Sequence, residues 1–254
     1  MISLFKVFMS EDVIEPVNKV LMSGYITQGP QVDKYETALK DYLENPYVLT
    51  LNSATAGLTL ATRLLFNKDD TFDWPGFDEK EDIVLIPALT CFATTAAVLA
   101  NKVKVRWLDT DNTTANICLK DLEKKLNKKT KIVYFVHWGG YPLDLNKLDE
   151  ILENHKKQYG FKPMVVEDCA HAFGSTYKGN KIGCLKHQHI CVYSTQAIKT
   201  LSTSDGGIIT LPNENLYKRC KLLRWYGINR DKRNYKGKDF RLENDILEWG
   251  YKFH

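Results

Sequence analysis

The chain has 254 residues, of which 44% are hydrophobic and 26% are charged, so it can bury a sizeable core and is not expected to be disordered. Its net charge of +4 comes from 35 basic and 31 acidic residues. The lysines are dispersed along helix-like stretches rather than grouped with aromatic residues, a pattern that does not indicate nucleic-acid binding.

Cysteine usage and hydropathy argue against secretion and membrane insertion. The six cysteines show no CxxC spacing, which favours a reduced, cytoplasmic protein. The first residues contain too short an apolar run for a signal peptide. The longest weakly polar run, residues 84–100, is interrupted by Pro87 and predicts a strand, a turn and a helix rather than a membrane span.

In chain order, a Gly/Pro turn at residues 24–30 precedes a helical pattern, and a buried strand at residues 47–51 leads through small residues into a helix that opens near Ser53 to Thr55. Apolar strands then alternate with helical patterns, which predicts an α/β fold with a mainly parallel sheet and helices on both faces. Functional groups in such a sheet belong at the carboxyl ends of the strands. The further strands read "DIVLIP", "KVRWLD", "KIVYFV", "PMVVED", "ICVYS" and "GGIITLP".

Two segments depart from this alternation. Residues 67–82 are acidic and carry Pro-Gly, so we expect an exposed loop. Beyond residue 211 the chain is helical and then strongly polar. We therefore divide it into a large domain at residues 1–211 and connecting helices with the start of a C-terminal region at residues 212–254.

Asp168 ends the strand "MVVED" and precedes small residues that favour a helix. A carboxylate there can cap the helix or project into a cleft as a fixed negative charge. Helical spacing would place His171, three residues later, on the same side as Asp168.

Ser53 and Thr55 lie where a helix begins, so its N–H groups and their hydroxyls could bind a phosphate, although a plain helix cap explains the same residues. Ser194, at the end of "ICVYS", could add another hydroxyl. The chain contains neither GxGxxG nor GxxxxGK[ST], which disfavours a Rossmann dinucleotide site and a P-loop.

Lys199 follows the strand that ends at Ser194, and a partly buried lysine amine can attack a carbonyl because burial disfavours its charged form. Taken singly, a lysine near a strand end is more often a salt-bridge partner. Together with a phosphate site, an aspartate and a histidine at strand ends, Lys199 favours pyridoxal 5′-phosphate (PLP) as cofactor. PLP requires a lysine for covalent attachment and an acidic partner for its ring nitrogen.

These strings resemble, in order and spacing, the DegT/DnrJ/EryC1/StrS family of sugar aminotransferases, which are fold-type I PLP enzymes. The resemblance covers nearly the whole chain and rests on "NSATAGLTLA", "IPALTCFATTAAVLA", "VVEDCAHAFGSTYKGNKIG", "VYSTQAIKTLSTSDGGIIT" and "LLRWYGINRD". It implies the large domain of that fold, with a seven-stranded sheet, and a C-terminal small domain that is missing or truncated here.

The resemblance also implies roles for individual residues. Lys199 would bind the cofactor covalently and shuttle a proton. Asp168 would keep the pyridine nitrogen protonated, and His171 would lie near the phenolic oxygen. The phosphate-binding positions of the family fall on Ala54, Thr55 and Ser194.

The chain departs from the family pattern at several positions. Cys91 stands where many relatives carry an aromatic residue stacked on the cofactor ring. Lys252 and His254 take the places of a family motif whose Asn reaches the phosphate of the neighbouring subunit, and a lysine can serve a phosphate as a point charge. His187 and His189 would face one way on a strand, but we interpret them as loop or strand-edge residues and expect no metal.

By resemblance, the protein is a cytoplasmic homodimer that transfers an amino group from L-glutamate to a 4-keto-6-deoxy sugar carried on a nucleotide, for surface-glycan or O-antigen synthesis. One alternative is a related PLP sugar enzyme, either a 3-keto-sugar aminotransferase or a dehydratase. Lys199 argues against the dehydratase, in which a histidine replaces the lysine. A second alternative is a truncated, non-catalytic paralogue that binds a partner or a nucleotide sugar.

Overall fold

The computed structural model describes residue 2, residues 5–232 and residues 245–254. Within these ranges, a seven-stranded sheet has the order β1-β9-β8-β5-β4-β2-β3, and a separate two-stranded sheet is formed by β6 and β7. The strands are β1 (Val48–Leu51), β2 (Ile83–Pro87), β3 (Lys104–Leu108), β4 (Thr130–Val136), β5 (Met164–Asp168), β6 (Thr176–Tyr177), β7 (Asn180–Lys181), β8 (Ile190–Ser194) and β9 (Gly207–Thr210).

Five strands of the large sheet, β3, β2, β4, β5 and β8, run parallel, whereas β9 pairs antiparallel with both β8 and β1. The prediction of a mainly parallel sheet is therefore confirmed, and all seven predicted strands are present. Each of β2, β5 and β8 is buried along its whole length. Such strands need apolar cover on both faces, which explains their nearly continuous apolar sequences.

The first helix, α1 (Ile14–Ser23), has no buried residue. The helices that pack on the two faces of the sheet are α2 (Pro30–Leu43), α3 (Ala54–Leu64), α4 (Phe92–Leu99), α5 (Leu119–Lys125), α6 (Leu145–Tyr159) and α7 (Glu214–Leu223). Alternate residues of β4 separate two cores. Tyr134 packs in the core that α3, α4 and α7 cover, and Phe135 packs in the core that α2, α5 and α6 cover.

The acidic segment at residues 67–82 is a largely exposed connection, as its composition predicts, but two of its aromatic side chains are buried. Trp74 is only 2% exposed, and its indole N–H donates to the carbonyl of Leu65 at 3.0 Å. Phe77 is buried and stacks on Phe66 with ring centroids 5.5 Å apart. Two aromatic side chains thus fix the segment against the core, and burial of their large apolar surfaces outweighs the polarity of its other residues.

Two further predictions meet different outcomes. The helical pattern after residue 211 corresponds to α7, but much of the polar stretch that follows falls on residues 233–244, which lie outside the described residues. In the described ranges, none of the helices is both long and apolar enough to cross a bilayer.

The start of α3 is held close to β9. Ser53 caps the helix by accepting the N–H of Ala56 at 3.1 Å. Gly207, the first residue of β9, lies directly against the peptide unit that joins Ser53 to Ala54, so there is no room for a side chain at position 207. This close backbone approach sets the position of the first turn of α3 relative to the strands.

We predict that Gly207→Ala lowers the free energy of unfolding by about 2–3 kcal/mol, because the new Cβ would lie within 2.6 Å of the Ala54 nitrogen and the backbone would have to shift. Chemical denaturation measures the change. Gly160→Ala is the control, since an added Cβ there meets nothing within 4 Å and the cost of about 1 kcal/mol comes only from its φ of 84°. Equal losses in the two variants would contradict the steric explanation.

Candidate active site

The carboxyl ends of β1, β5 and β8 bring together most of the residues singled out in the sequence. Gly207 pairs with Leu51 at the end of β1 and with Ser194 at the end of β8. Because Gly207 also touches the Ser53–Ala54 peptide unit, the Ser194 hydroxyl and the start of α3 lie at the same edge of the sheet. Asp168 ends β5, the strand next to β8.

The first turn of α3 offers hydrogen-bond donors. Ala54 and Thr55 are its first two residues, and the N–H groups at these positions have no acceptor within a helix. The Ser53 hydroxyl already serves the next N–H, that of Ala56. Ala54 is half-buried and Thr55 is exposed, so their N–H groups, with the positive end of the helix dipole, form a site that can bind an anion.

Asp168 is 5% exposed, and each of its carboxylate oxygens accepts one hydrogen bond. The N–H of Ala170 donates to Oδ1 at 3.0 Å, and the hydroxyl of Thr94, on α4, donates to Oδ2 at 2.6 Å. Both bonds stabilise the negative charge of this carboxylate. Donors from two different parts of the chain therefore hold the Asp168 carboxylate.

The helix expected after Asp168 is absent, and a series of turns takes its place. Ala172 N–H donates to the Cys169 carbonyl at 2.8 Å, and Ser175 N–H donates to the Ala172 carbonyl at 3.0 Å. Gly174, with a φ of 87°, redirects the chain into the β6–β7 hairpin before a helix can form. His171 is thus brought near Asp168 by turns and not by helical spacing.

His171 is held as a neutral imidazole with a defined tautomer. Its Nδ1 accepts the N–H of Gly139 at 3.2 Å, so the ring hydrogen is on Nε2, and the ring meets Trp138 edge-on at a centroid distance of 5.7 Å. Burial lowers the pKa of His171 below 6.5 and the positive charge of Lys199 lowers it further, while Asp168 opposes both. Lys199 and Asp168 therefore both act electrostatically on His171.

Lys199 lies in the connection between β8 and β9. Lys199 is half-buried, and its backbone N–H donates to the Gln196 carbonyl at 2.8 Å. The connection is closed at its base by Thr195, whose N–H donates to the Gly206 carbonyl at 3.0 Å and whose hydroxyl lies 2.7 Å from that of Thr203. This closure restricts where the Lys199 amine can reach.

Cys91 and Lys252 are both exposed. Cys91 directly precedes α4. Lys252 lies in the C-terminal segment that runs beside the start of α3, where Asn52 donates its backbone N–H to the Phe253 carbonyl at 2.8 Å and its side-chain amide to the Lys252 carbonyl at 3.4 Å. Burial, together with Arg230 and other nearby cations, lowers the pKa of His254 to about 4, so the side chain is neutral at pH 7.

Glu167, the neighbour of Asp168, was missed by the sequence analysis. It points to the opposite face of β5, where its carboxylate accepts hydrogen bonds from His137 Nε2 at 2.6 Å and from His189 Nδ1. His137 Nδ1 accepts the N–H of Leu143 at 3.1 Å, which places its ring hydrogen on Nε2. Burial raises the pKa of Glu167, but the two histidine hydrogen bonds outweigh it and hold the pKa well below its usual range.

This buried cluster supports the loop that contacts His171. His137 begins the loop, and Asn116 spans it by accepting the N–H of Trp138 at 2.8 Å and donating to the Tyr141 carbonyl at 3.0 Å. Gly139, within the loop, donates to His171. Glu167 therefore acts on the site indirectly, through the position of this loop.

His187 and His189 lie outside the strands, as the sequence indicates: His187 is in a short 3₁₀ turn, Leu185–His187, and His189 directly precedes β8. The sequence analysis missed that His189 is also buried against Glu167. The signal that could have revealed this pairing is the sequence "ED" at the end of a buried strand. Strand alternation places one carboxylate on each face, and a buried carboxylate needs a hydrogen-bonding partner there.

Comparison with known proteins gives a consistent picture. A model of the DegT/DnrJ/EryC1/StrS aminotransferase family matches residues 8–253. An uncharacterized protein of Methanocaldococcus jannaschii is 32% identical over 98% of this chain and 60% of its own. The sugar aminotransferase CalS13 from Micromonospora echinospora is 42% identical, with a TM-score of 0.88 over 100% of this chain and 64% of its own.

A Streptococcus pneumoniae protein solved in its PLP form is 27% identical, with a TM-score of 0.82 over 99% of this chain and 62% of its own. The chain thus spans slightly less than two thirds of the length of each of these relatives.

We predict that Glu167→Gln lowers the free energy of unfolding at pH 7 by about 3 kcal/mol, because it removes the charge that two buried histidines contact. Glu150→Gln is the matched control. That exposed carboxylate pairs with Lys147, and its loss should cost less than about 1 kcal/mol. A Glu167→Gln variant as stable as the control would contradict the role of the cluster.

The pH dependence of stability provides a further test of the same cluster. A carboxyl whose pKa is lowered on folding contributes stability that is present above its ordinary value of 4.5 and is lost as the pH falls toward its folded pKa. Urea titrations should therefore show that the difference in the free energy of unfolding between the unaltered chain and Glu167→Gln becomes smaller as the pH falls from 5 to strongly acidic values. A difference that stays constant over that range would show that ionisation of Glu167 is not the cause.

Proposed function

Because the chain belongs to the DegT/DnrJ/EryC1/StrS aminotransferase family, we propose that it is a PLP-dependent transferase acting in the cytoplasm, which moves an amino group from L-glutamate to a nucleotide-linked 4-keto-6-deoxy sugar for surface-glycan or O-antigen synthesis. One observation carries the proposal. The buried Asp168 carboxylate and the Ser194 hydroxyl end neighbouring strands at the sheet edge where the first turn of α3 also lies, and Lys199 follows Ser194 in the connection between β8 and β9.

The residues at this edge fit each functional group of PLP. The N–H groups of Ala54 and Thr55, at a helix N-terminus, suit its phosphate. The buried Asp168 carboxylate suits the pyridine nitrogen, and the Nε2 hydrogen of neutral His171 suits the phenolic oxygen. Lys199 supplies the amine that the aldehyde requires.

Each residue of this site would have a separate role in the reaction. PLP, when bound, supplies an electron sink next to the substrate carbon. Asp168 holds the proton on the ring nitrogen by presenting a negative charge to it. The Lys199 amine moves a proton to and from the reacting carbon. Ser194 adds its hydroxyl to the phosphate donors, and Gly207 keeps Ser194 and α3 together.

Two positions adapt the family's site in this chain. The Cys91 thiol would contact the ring where relatives stack an aromatic residue, which gives a smaller and more polarizable contact. Lys252 would reach the cofactor phosphate of the second subunit in a homodimer as a point charge. Its exposed side chain leaves the amine available for such a contact.

The assignment of the acceptor to sugars is supported by a relative. CalS13, described as a sugar aminotransferase, aligns with 100% of this chain at 42% identity. The nucleotide carrier and the 4-keto position are parts of the proposal that rest on the family resemblance.

We predict that Lys199→Ala abolishes amino transfer and removes the near-visible absorbance of bound PLP, because the aldehyde of PLP then lacks the amine to which the proposal attaches it. Lys186→Ala, in the 3₁₀ turn before β8, is the control and should retain both. Absorbance with added PLP, followed by addition of L-glutamate, measures cofactor attachment and the first half of the reaction. Retention of the absorbance band in Lys199→Ala would contradict the proposal.

We also predict that Lys252 acts across a dimer interface. Lys252→Ala should weaken PLP binding about 10- to 100-fold, the usual cost of losing a hydrogen bond to a charged group. Mixed dimers of a Lys199→Ala chain and a Lys252→Ala chain should regain one intact site, since the first chain supplies Lys252 to the second.

Analytical ultracentrifugation measures whether the chain forms a dimer. PLP titration of the mixed sample measures how far tight PLP binding is restored. A chain that stays monomeric while fully active, or a mixed dimer without recovery, would count against a site shared between subunits.

A further inference from the structure

A chain of hydroxyl groups leads to the oxygen of Asp168 that faces α4. Thr94, in the first turn of α4, is completely buried, and its Oγ1 lies 2.6 Å from Asp168 Oδ2. Thr90, just ahead of α4 and half-buried, places its Oγ1 2.7 Å from that of Thr94. Neither threonine was singled out by the sequence pattern.

The direction of these hydrogen bonds follows from the number of hydrogens. A carboxylate has none to give, so the single hydroxyl hydrogen of Thr94 is donated to Asp168. The Thr94 oxygen is then left only as an acceptor. Thr90 therefore donates to Thr94, and both bonds point toward the carboxylate.

Thr94 differs in this respect from the buried Thr59 on α3. The Thr59 hydroxyl donates to the Thr55 carbonyl, four residues earlier in its own helix, at 2.8 Å. That local bond is the usual solution for a helical threonine. Thr94 instead directs its hydrogen across to another element, as expected of a residue that holds Asp168 rather than its own helix.

Two donors from different elements fix the plane of the Asp168 carboxylate. The torsion that rotates such a group is soft, so one hydrogen bond would leave its orientation loosely defined. Ala170 N–H holds Oδ1 and Thr94 holds Oδ2. The nearby Tyr134 hydroxyl donates to the Leu58 carbonyl at 3.0 Å, so Thr94 is the side chain that donates to Asp168 among the described residues.

We infer that Thr94 is a positioning residue that orients Asp168 toward the pyridine nitrogen of PLP, and that Thr90 in turn orients Thr94. The inference rests on the proposed function and extends it to two residues outside the direct cofactor contacts. A donor on Oδ2 also stabilises the negative charge of Asp168, which favours keeping the proton on the ring nitrogen.

Three variants test the inference. Thr94→Val removes the hydroxyl and keeps the branched shape, whereas Thr94→Ser keeps the hydroxyl. Thr95→Val makes the same chemical change at the adjacent residue of α4, which is also buried, and serves as the control. Thermal unfolding of all three, compared with the unaltered chain, identifies any variant that fails to fold.

The decisive readout is the ¹⁵N chemical shift of the ring nitrogen in bound PLP labelled at that atom. Thr94→Val should move the signal toward the unprotonated position and weaken PLP binding about tenfold. It should lower kcat by a larger factor than the factor by which it changes KM. Thr94→Ser and Thr95→Val should keep the signal of the unaltered chain. An unshifted signal in Thr94→Val, or an equal shift in Thr94→Ser, would overturn the inference.

A second measurement separates this inference from the proposed function. If the unaltered chain failed to bind PLP, that result would contradict the proposed function. The orientation of Asp168 by Thr94 could still be examined in crystal structures without the cofactor. Those structures should show the Asp168 carboxylate rotated or disordered in Thr94→Val and ordered in Thr95→Val. An unchanged Asp168 in Thr94→Val would overturn the inference in that case as well.

Discussion

Two consecutive carboxylates at the end of β5 are the constraint on which the site depends. Strand alternation sends Asp168 toward α4 and Glu167 toward the opposite core, and each carboxylate is buried and hydrogen-bonded on its own face. Since a buried carboxylate without partners is costly, the surrounding elements must supply donors. The loop that begins at His137 and the first turn of α4 are held in place by meeting this demand.

The reversal of β9 provides the second half of the site. By running antiparallel between β1 and β8, β9 places Gly207 beside the ends of both neighbours. The missing side chain lets the start of α3 approach that point. The same geometry sets the end of β8, from which the chain continues to Lys199. A helix N-terminus for an anion and an amine for a carbonyl are thereby placed at the same edge as Asp168.

Much of this arrangement could be predicted from the sequence, because buried strands and helix starts leave local signals. The seven strands, the capped start of α3 and the fold class follow from apolar runs, Ser53 and alternation. The rest depends on contacts distant in sequence. Trp74 and Phe77 enter the core from an acidic segment, and Gly174 stops a helix that small residues favour. The partners of Glu167 come from the residue after β4 and from the residue before β8. No local pattern reports such contacts.

We propose that the chain binds PLP through Lys199. Borohydride reduction of the purified chain in the presence of PLP, followed by peptide mapping by mass spectrometry, identifies the lysine that carries the cofactor. We expect one dominant phosphopyridoxyl label, on the peptide that contains Lys199, and its loss when the chain is unfolded before reduction. Labelling spread over exposed lysines such as Lys186, or unaffected by unfolding, would show that Lys199 does not bind the cofactor specifically.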